Sequence, residues 1–89
     1  MKKGNTEKLK PSTKDASFDK EQLVKLGERL KHFRKKAGYT SYEYFAYEHG
    51  FSRPQYGKYE AGANITFGTL SKILKAMNVS LEEFFKGFD

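Results

Sequence analysis

The stretch SYEYFAYEHGFSRPQYGKYE, residues 41–60, decides the fold. Ala46 is a small residue, the type needed where two steeply crossed helices joined by a tight turn touch one another. Gly50, four residues on, tolerates the positive φ that such a turn demands. Phe51 follows as a plug into the core, and Tyr56 falls on the inner face of the next helix. Thr40 or Ser41 caps the first of the two helices, with Glu43 or Tyr44 at its third position. Ser52-Arg53-Pro54-Gln55 reads as a capping box opening the second, with proline tolerated in the first turn. Phe45, Ala46 and His49 make the inward face of the first helix. Arg53, Pro54, Gln55 and Lys58 are left on the outward side of the second, which ends near Glu60 at Ala61-Gly62.

The rest of the chain surrounds this pair with further helices. Asp19-Lys20-Glu21-Gln22 has the form of a capping box, and Leu23, Leu26, Leu30 and Phe33 recur at helical spacing, with Ala37 one turn on and Gly38 as the stop. Thr66 caps a fourth helix with Phe67, Leu70, Ile73, Leu74 and Met77 directed inward. Ser80-Leu81-Glu82-Glu83 caps a fifth carrying Phe84 and Phe85, one of which closes the core. No segment reads as a strand and no repeat is visible. The predicted architecture is all-α, with five short helices over residues 18–89. Residues 1–17 carry Lys2, Lys3, Lys8, Lys10 and Lys14 against Glu7 and Asp15, and offer only Met1 and Leu9 as large apolar groups. Such a stretch cannot offset its ordering entropy and reads as a disordered basic tail. It is read as a solvated tail rather than an arm laid along a polyanion.

Composition removes whole classes of function. With 89 residues the chain holds one domain, and with no cysteine it forms neither disulfides nor thiolate metal sites. Two histidines make a poor zinc site, no apolar run approaches a membrane span, and the basic N-terminus lacks the apolar core of a secretory signal. A cytoplasmic, nucleoid-associated location is the default expectation. No glycine-rich phosphate loop is present, and Glu28 with His32 is most simply a surface pair one helical turn apart. Catalysis is therefore not expected, and no cofactor or metal is implied. The net charge of +6 suits either solubility or a polyanionic partner.

The outward residues favour the polyanion. Arginine pairs with guanine O6 and N7, and glutamine with adenine N6 and N7, each good bidentate contact discriminating by about 1–3 kcal/mol. Arg53 and Gln55 stand at the start of their helix, the end that a reading helix inserts into a major groove. Lys58 reaches a phosphate or a guanine. Pro54, without a donor, is limited to apolar contact such as a thymine methyl.

Five blocks in order then carry a resemblance. Leu26-Gly27-Glu28-Arg29-Leu30, Arg34-Lys35-Lys36-Ala37-Gly38, Phe45-Ala46 with Gly50-Phe51-Ser52-Arg53, Tyr59-Glu60-Ala61-Gly62, and the run from Leu70 to Phe85 resemble the Cro/repressor-type, XRE-like helix-turn-helix domain. The similarity covers about residues 22–86. It implies a lambda-repressor-like five-helix fold that binds double-stranded operator DNA, usually as a symmetric pair, with residues 52–60 as the recognition helix. Arg53, Pro54, Gln55 and Lys58 fall where the family touches bases. Ser41, Tyr42, Ser52, Asn64 and Thr66 fall where it meets the DNA backbone. Arg34 and Glu60 match a partly buried ion pair that braces the first helix against the third.

The chain also departs from the family pattern. One extra residue separates Gly38 from the second helix. His49 replaces an aliphatic residue and is expected to be buried and neutral with a hydrogen-bond partner rather than a pH sensor. Tyr56 replaces Ile or Val, which implies a wider helix crossing and a hydroxyl in need of a partner. Gly57 weakens the recognition helix by about 1 kcal/mol relative to alanine. Two reasons for it stay open, a close backbone approach to DNA and relief of crowding by Tyr56. Tyr42, Tyr44 and Tyr47 replace charged residues. Tyr44 and Tyr47 are expected to be covered by Phe18 or its flanking segment, the other reading being a partner or DNA-backbone surface. Whichever of Phe84, Phe85 and Phe88 stay outside the core offer a homodimer contact. The functional expectation is a sequence-specific transcriptional repressor. Its competitor is an antitoxin-like module that binds a protein toxin through the tyrosine face and the aromatic C-terminus.

Overall fold

The computed structural model describes residues 16–88 and consists of α1 (Ala16–Lys36), α2 (Tyr42–Glu48), α3 (Arg53–Glu60), α4 (Phe67–Met77) and α5 (Leu81–Phe85). No strand occurs among the described residues, and the all-α, five-helix expectation holds.

Local chemistry sets the boundaries. Ser41, Ser52, Thr66 and Ser80 each sit in extended backbone and accept a hydrogen bond from the N–H three residues on, at Tyr44, Gln55, Thr69 and Glu83. Each bond satisfies an N–H that has no partner inside its helix, a contribution of about 1 kcal/mol. Four of the helices end alike. Tyr39 N–H donates to Arg34 C=O and Gly38 N–H to Lys35 C=O; the same crossed pair links Phe51 to Ala46 with Gly50 to Tyr47, Ala63 to Lys58 with Gly62 to Tyr59, and Val79 to Leu74 with Asn78 to Lys75. This pattern absorbs the terminal carbonyls and turns the chain sharply toward the next element.

The first helix begins earlier than its sequence pattern suggests. It includes Ala16 and Ser17, so Asp19 is not a cap but lies in the first turn, where its charge complements the helix dipole. The basic tail expected over residues 1–17 lies, apart from these two positions, outside the described residues.

The core joins Leu30 and Phe33 of α1, Phe45 and Ala46 of α2, Tyr56 of α3, Leu70, Ile73, Leu74 and Met77 of α4, and Phe84 of α5. Each large side chain taken fully out of water contributes about 1.5–3 kcal/mol. Leu26, Tyr39, Phe51, Tyr59, Ile65 and Val79 pack around this centre half-buried. Phe84, not Phe85, closes the core, and Arg29 ties α5 down by donating to Phe84 C=O at 2.7 Å and Lys86 C=O at 2.6 Å. Ala37, one turn beyond Phe33, is exposed past the end of α1, and one inward assignment is corrected. Phe67 is 64% exposed, because the first residue of α4 projects past the edge of the core that Leu70 reaches.

Candidate nucleic-acid interface

The α2–α3 pair is built around Ala46, which has no exposed surface. The chain leaves α2 through Gly50 at φ +77°, and Phe51 N–H donates back to Ala46 C=O at 2.8 Å. Phe51 then turns inward, its ring 6.0 Å from that of Phe45. One residue after the Ser52 cap α3 begins, and its Tyr56 is driven into the core at 1% exposure, 5.2 Å from Phe45 between ring centroids. With Tyr56 pinned inward, helical geometry sends Arg53, Pro54, Gln55 and Lys58 outward, and all four are exposed.

The far end of α3 is held by charge. Arg34 Nε donates to Glu60 Oε2 at 2.7 Å and Nη2 to Glu60 Oε1 at 3.0 Å, while Nη1 donates to Tyr39 C=O at 2.7 Å. The two side chains are only 3% and 8% exposed. One guanidinium thus links the end of α1, the α1–α2 turn and the end of α3. The hydrogen bonds that Arg34 donates to Glu60 hold its pKa above the ordinary value despite the opposing effect of burial. Gly27 lets this end of α3 approach α1: a Cβ there would lie 2.5 Å from Glu60 O and 2.7 Å from Tyr59 O.

At Gly57 the structure adds a contact that neither reading of the sequence named. A Cβ at this position would stand 2.7 Å from Tyr42 Cε1 and 3.0 Å from its hydroxyl oxygen. The Tyr42 ring lies against α3 in the space that glycine leaves. Tyr42 remains at the surface with its hydroxyl beside α3.

The other backbone candidates, Ser41, Ser52, Asn64 and Thr66, are exposed. Ser41 and Ser52 spend acceptor capacity on their caps and keep a hydroxyl donor. Thr66 has less freedom, since its hydroxyl donates to Thr69 Oγ1 at 3.0 Å while accepting from Thr69 N–H.

His49 is half-buried and lies 3.1 Å, through Nε2, from the Tyr39 hydroxyl. That contact supplies the expected hydrogen-bond partner, although the ring is less enclosed than expected. Tyr56 finds none: its hydroxyl is buried without a hydrogen bond. Burial, reinforced by the Glu60 carboxylate nearby, pushes its pKa well up. The tyrosine face is also corrected. Tyr44 and Tyr47 are open, Tyr47 at 69%, and Phe18 is itself exposed and does not cover them. The segment before Ala16 lies outside the described residues. Tyr47 instead meets Arg53, whose guanidinium carbon lies 5.9 Å from the ring centroid. Sequence spacing gave no sign of this contact, because the two residues lie on different helices across the turn.

Among the described residues no helix is long and apolar enough to cross a membrane, and no three His, Asp or Glu side chains are gathered to hold a metal. No individual curated protein and no solved structure gives a significant match. A family model described as helix-turn-helix matches residues 30–84, from the later turns of α1 through α5 at Phe84. The chain belongs to this Cro/repressor-type, XRE-like helix-turn-helix family, a family of DNA-binding domains.

Proposed function

We propose that the protein is a sequence-specific transcriptional repressor that places the N-terminal half of α3 in the major groove of duplex DNA. The observation that carries this reading is the opposed orientation of α3: Tyr56 is buried while Arg53, Pro54, Gln55 and Lys58 are all exposed at its leading end. Arg53 and Gln55 supply bidentate readout of guanine and adenine, Pro54 apolar contact, and Lys58 a phosphate or guanine contact. Ser41, Tyr42, Ser52 and Asn64 set the register on the DNA backbone, with Thr66 contributing once its bond to Thr69 is released. The protein works by binding, without a metal or cofactor, in the cytoplasm and on the nucleoid. Two copies bind a symmetric site, the exposed Phe85 offering apolar surface at the end of the fold.

Binding-site selection from random duplexes tests the proposal. The expected result is enrichment of a palindrome with half-sites about 10 base pairs apart and an affinity that falls steeply with salt. Absence of enrichment over random DNA overturns it. A second reading, a module that sequesters a toxin and also binds DNA, is favoured by the open Tyr44 and Tyr47 rings on α2. A tight protein partner that stays bound at high salt, where phosphate-driven binding is lost, would favour that reading.

A further inference from the structure

We propose that Tyr47 is a positioning residue for base readout: its ring holds the Arg53 guanidinium at the entrance of α3 and thereby sharpens discrimination at the base pair that Arg53 reads. The inference rests on the proposed role of α3 in reading bases.

Three observations support it. The Arg53 guanidinium carbon sits 5.9 Å from the Tyr47 ring centroid, within the range of cation–π attraction. Tyr47 is 69% exposed, the most open of the large hydrophobic and aromatic side chains among the described residues, so its ring adds little to the core. Among the described residues the ion pair is Arg34–Glu60, and no carboxylate competes for Arg53.

The chemistry suits the task. A guanidinium stacked on an aromatic face engages through its plane, and its five N–H donors point outward along that plane. Stacking therefore restrains the side chain without using the fork that recognises guanine. A carboxylate partner would restrain Arg53 equally well but would occupy that fork and place a negative charge beside the phosphates. The short, glycine-turned connection brings the last turn of α2 against the first residue of α3, so the α2–α3 crossing sets how the ring and the guanidinium meet. A side chain held near its working geometry loses less freedom on binding, and that saving is realised only where Arg53 finds its base.

The test uses the full chain, the duplex enriched by selection, and a second duplex altered at the base pair where Arg53→Ala abolishes discrimination. Tyr47→Ala should weaken binding to the selected duplex about two- to five-fold, leave the altered duplex unaffected, and have no effect in an Arg53→Ala background. Tyr47→Phe should restore wild-type discrimination, because the ring and not the hydroxyl acts. In the free protein, ring-current upfield shifts of the Arg53 side-chain protons should vanish in Tyr47→Ala and persist in Tyr47→Phe, with the thermal midpoint unchanged. Equal losses on both duplexes, the same loss without Arg53, tighter binding by Tyr47→Ala, or no ring-current shift would each overturn the proposal. If Arg53→Ala alone discriminates like wild type, the base-reading role of Arg53 fails and the positioning role goes with it.

Discussion

Arg34 and Glu60 meet through two parallel N–H···O bonds of 2.7 and 3.0 Å with both side chains almost wholly buried. The third bond of Arg34, to Tyr39 C=O, makes this pair a joint between the turn entering α2 and the end of α3. Through this joint the α2–α3 pair is tied to the end of α1.

A buried ion pair costs desolvation, so its net contribution to stability is small, but breaking it strands a charge. Arg34→Ala and Glu60→Ala should each lose about 3–5 kcal/mol in urea denaturation. Arg34→Met with Glu60→Leu together should lie closer to wild type than either single change, since no charge is then left alone. Additive losses would show that the cost lies in packing and not in the stranded charge.

Gly27 should resist substitution although it lies inside α1, where alanine is the better helix former by about 1 kcal/mol. The groups that a Cβ would meet, Glu60 O and C and Tyr59 O, are backbone atoms and cannot swing away. Gly27→Ala should therefore destabilise the fold by about 1–3 kcal/mol through separation of α1 and α3. A rise in the denaturation midpoint would show that the helices part without strain.

Gly57 presents the opposite case, because its obstacle is the ring of a surface side chain. In a Tyr42→Ala background, Gly57→Ala should stabilise the protein by about 1 kcal/mol through helix propensity alone. In the wild type the gain is offset by displacement of the Tyr42 ring. There Gly57→Ala should weaken binding to all duplexes alike, as expected for loss of a backbone contact. The same stabilisation in both backgrounds would remove Tyr42 as the reason for this glycine.

These three glycine and ion-pair contacts also mark where sequence reading succeeds and stops. Caps such as Ser52 with Gln55 are legible because donor and acceptor are three residues apart and the bond forms within one turn. Gly50 is legible because its φ is a local demand of the turn. Arg34 and Glu60 were visible only through resemblance to a family. The need for Gly27 comes from Glu60, and the need for Gly57 from Tyr42, so neither is written into its own neighbourhood. Phe67 shows a different limit: helical periodicity continues to the end of the helix, but the core beneath it does not.

Gln55 and Lys58 separate reading from gripping. Gln55→Ala should cost about 1–3 kcal/mol on the selected duplex and relax preference at one base pair. Lys58→Ala, if Lys58 lies on a phosphate, should weaken binding to every duplex and lower the slope of log affinity against log salt by about 0.9. Equal loss across sequences for Gln55→Ala would remove it from the base-reading set. An unchanged salt slope for Lys58→Ala, with lost discrimination, would move Lys58 to guanine.

Tyr56 carries a hydroxyl that the core does not satisfy. Replacing a buried, unbonded hydroxyl with hydrogen removes a desolvation cost and preserves the ring against Phe45, so Tyr56→Phe should be stabilising, by about 1 kcal/mol. The same burial dictates a response to alkali. The folded-state pKa of Tyr56 is raised above its ordinary 10.0, so the unfolded chain releases this proton first as pH rises. The contribution to stability is fully present below pH 10.0 and is lost as pH climbs from there toward the raised value. The loss should run at up to about 1.4 kcal/mol per pH unit. Other groups titrate in that range as well, so the difference between wild type and Tyr56→Phe isolates the effect: the variant should lose less stability between pH 10 and 11. Parallel pH profiles for the two proteins would mean that the Tyr56 hydroxyl ionises as readily in the fold as outside it, and that its burial leaves its proton untouched.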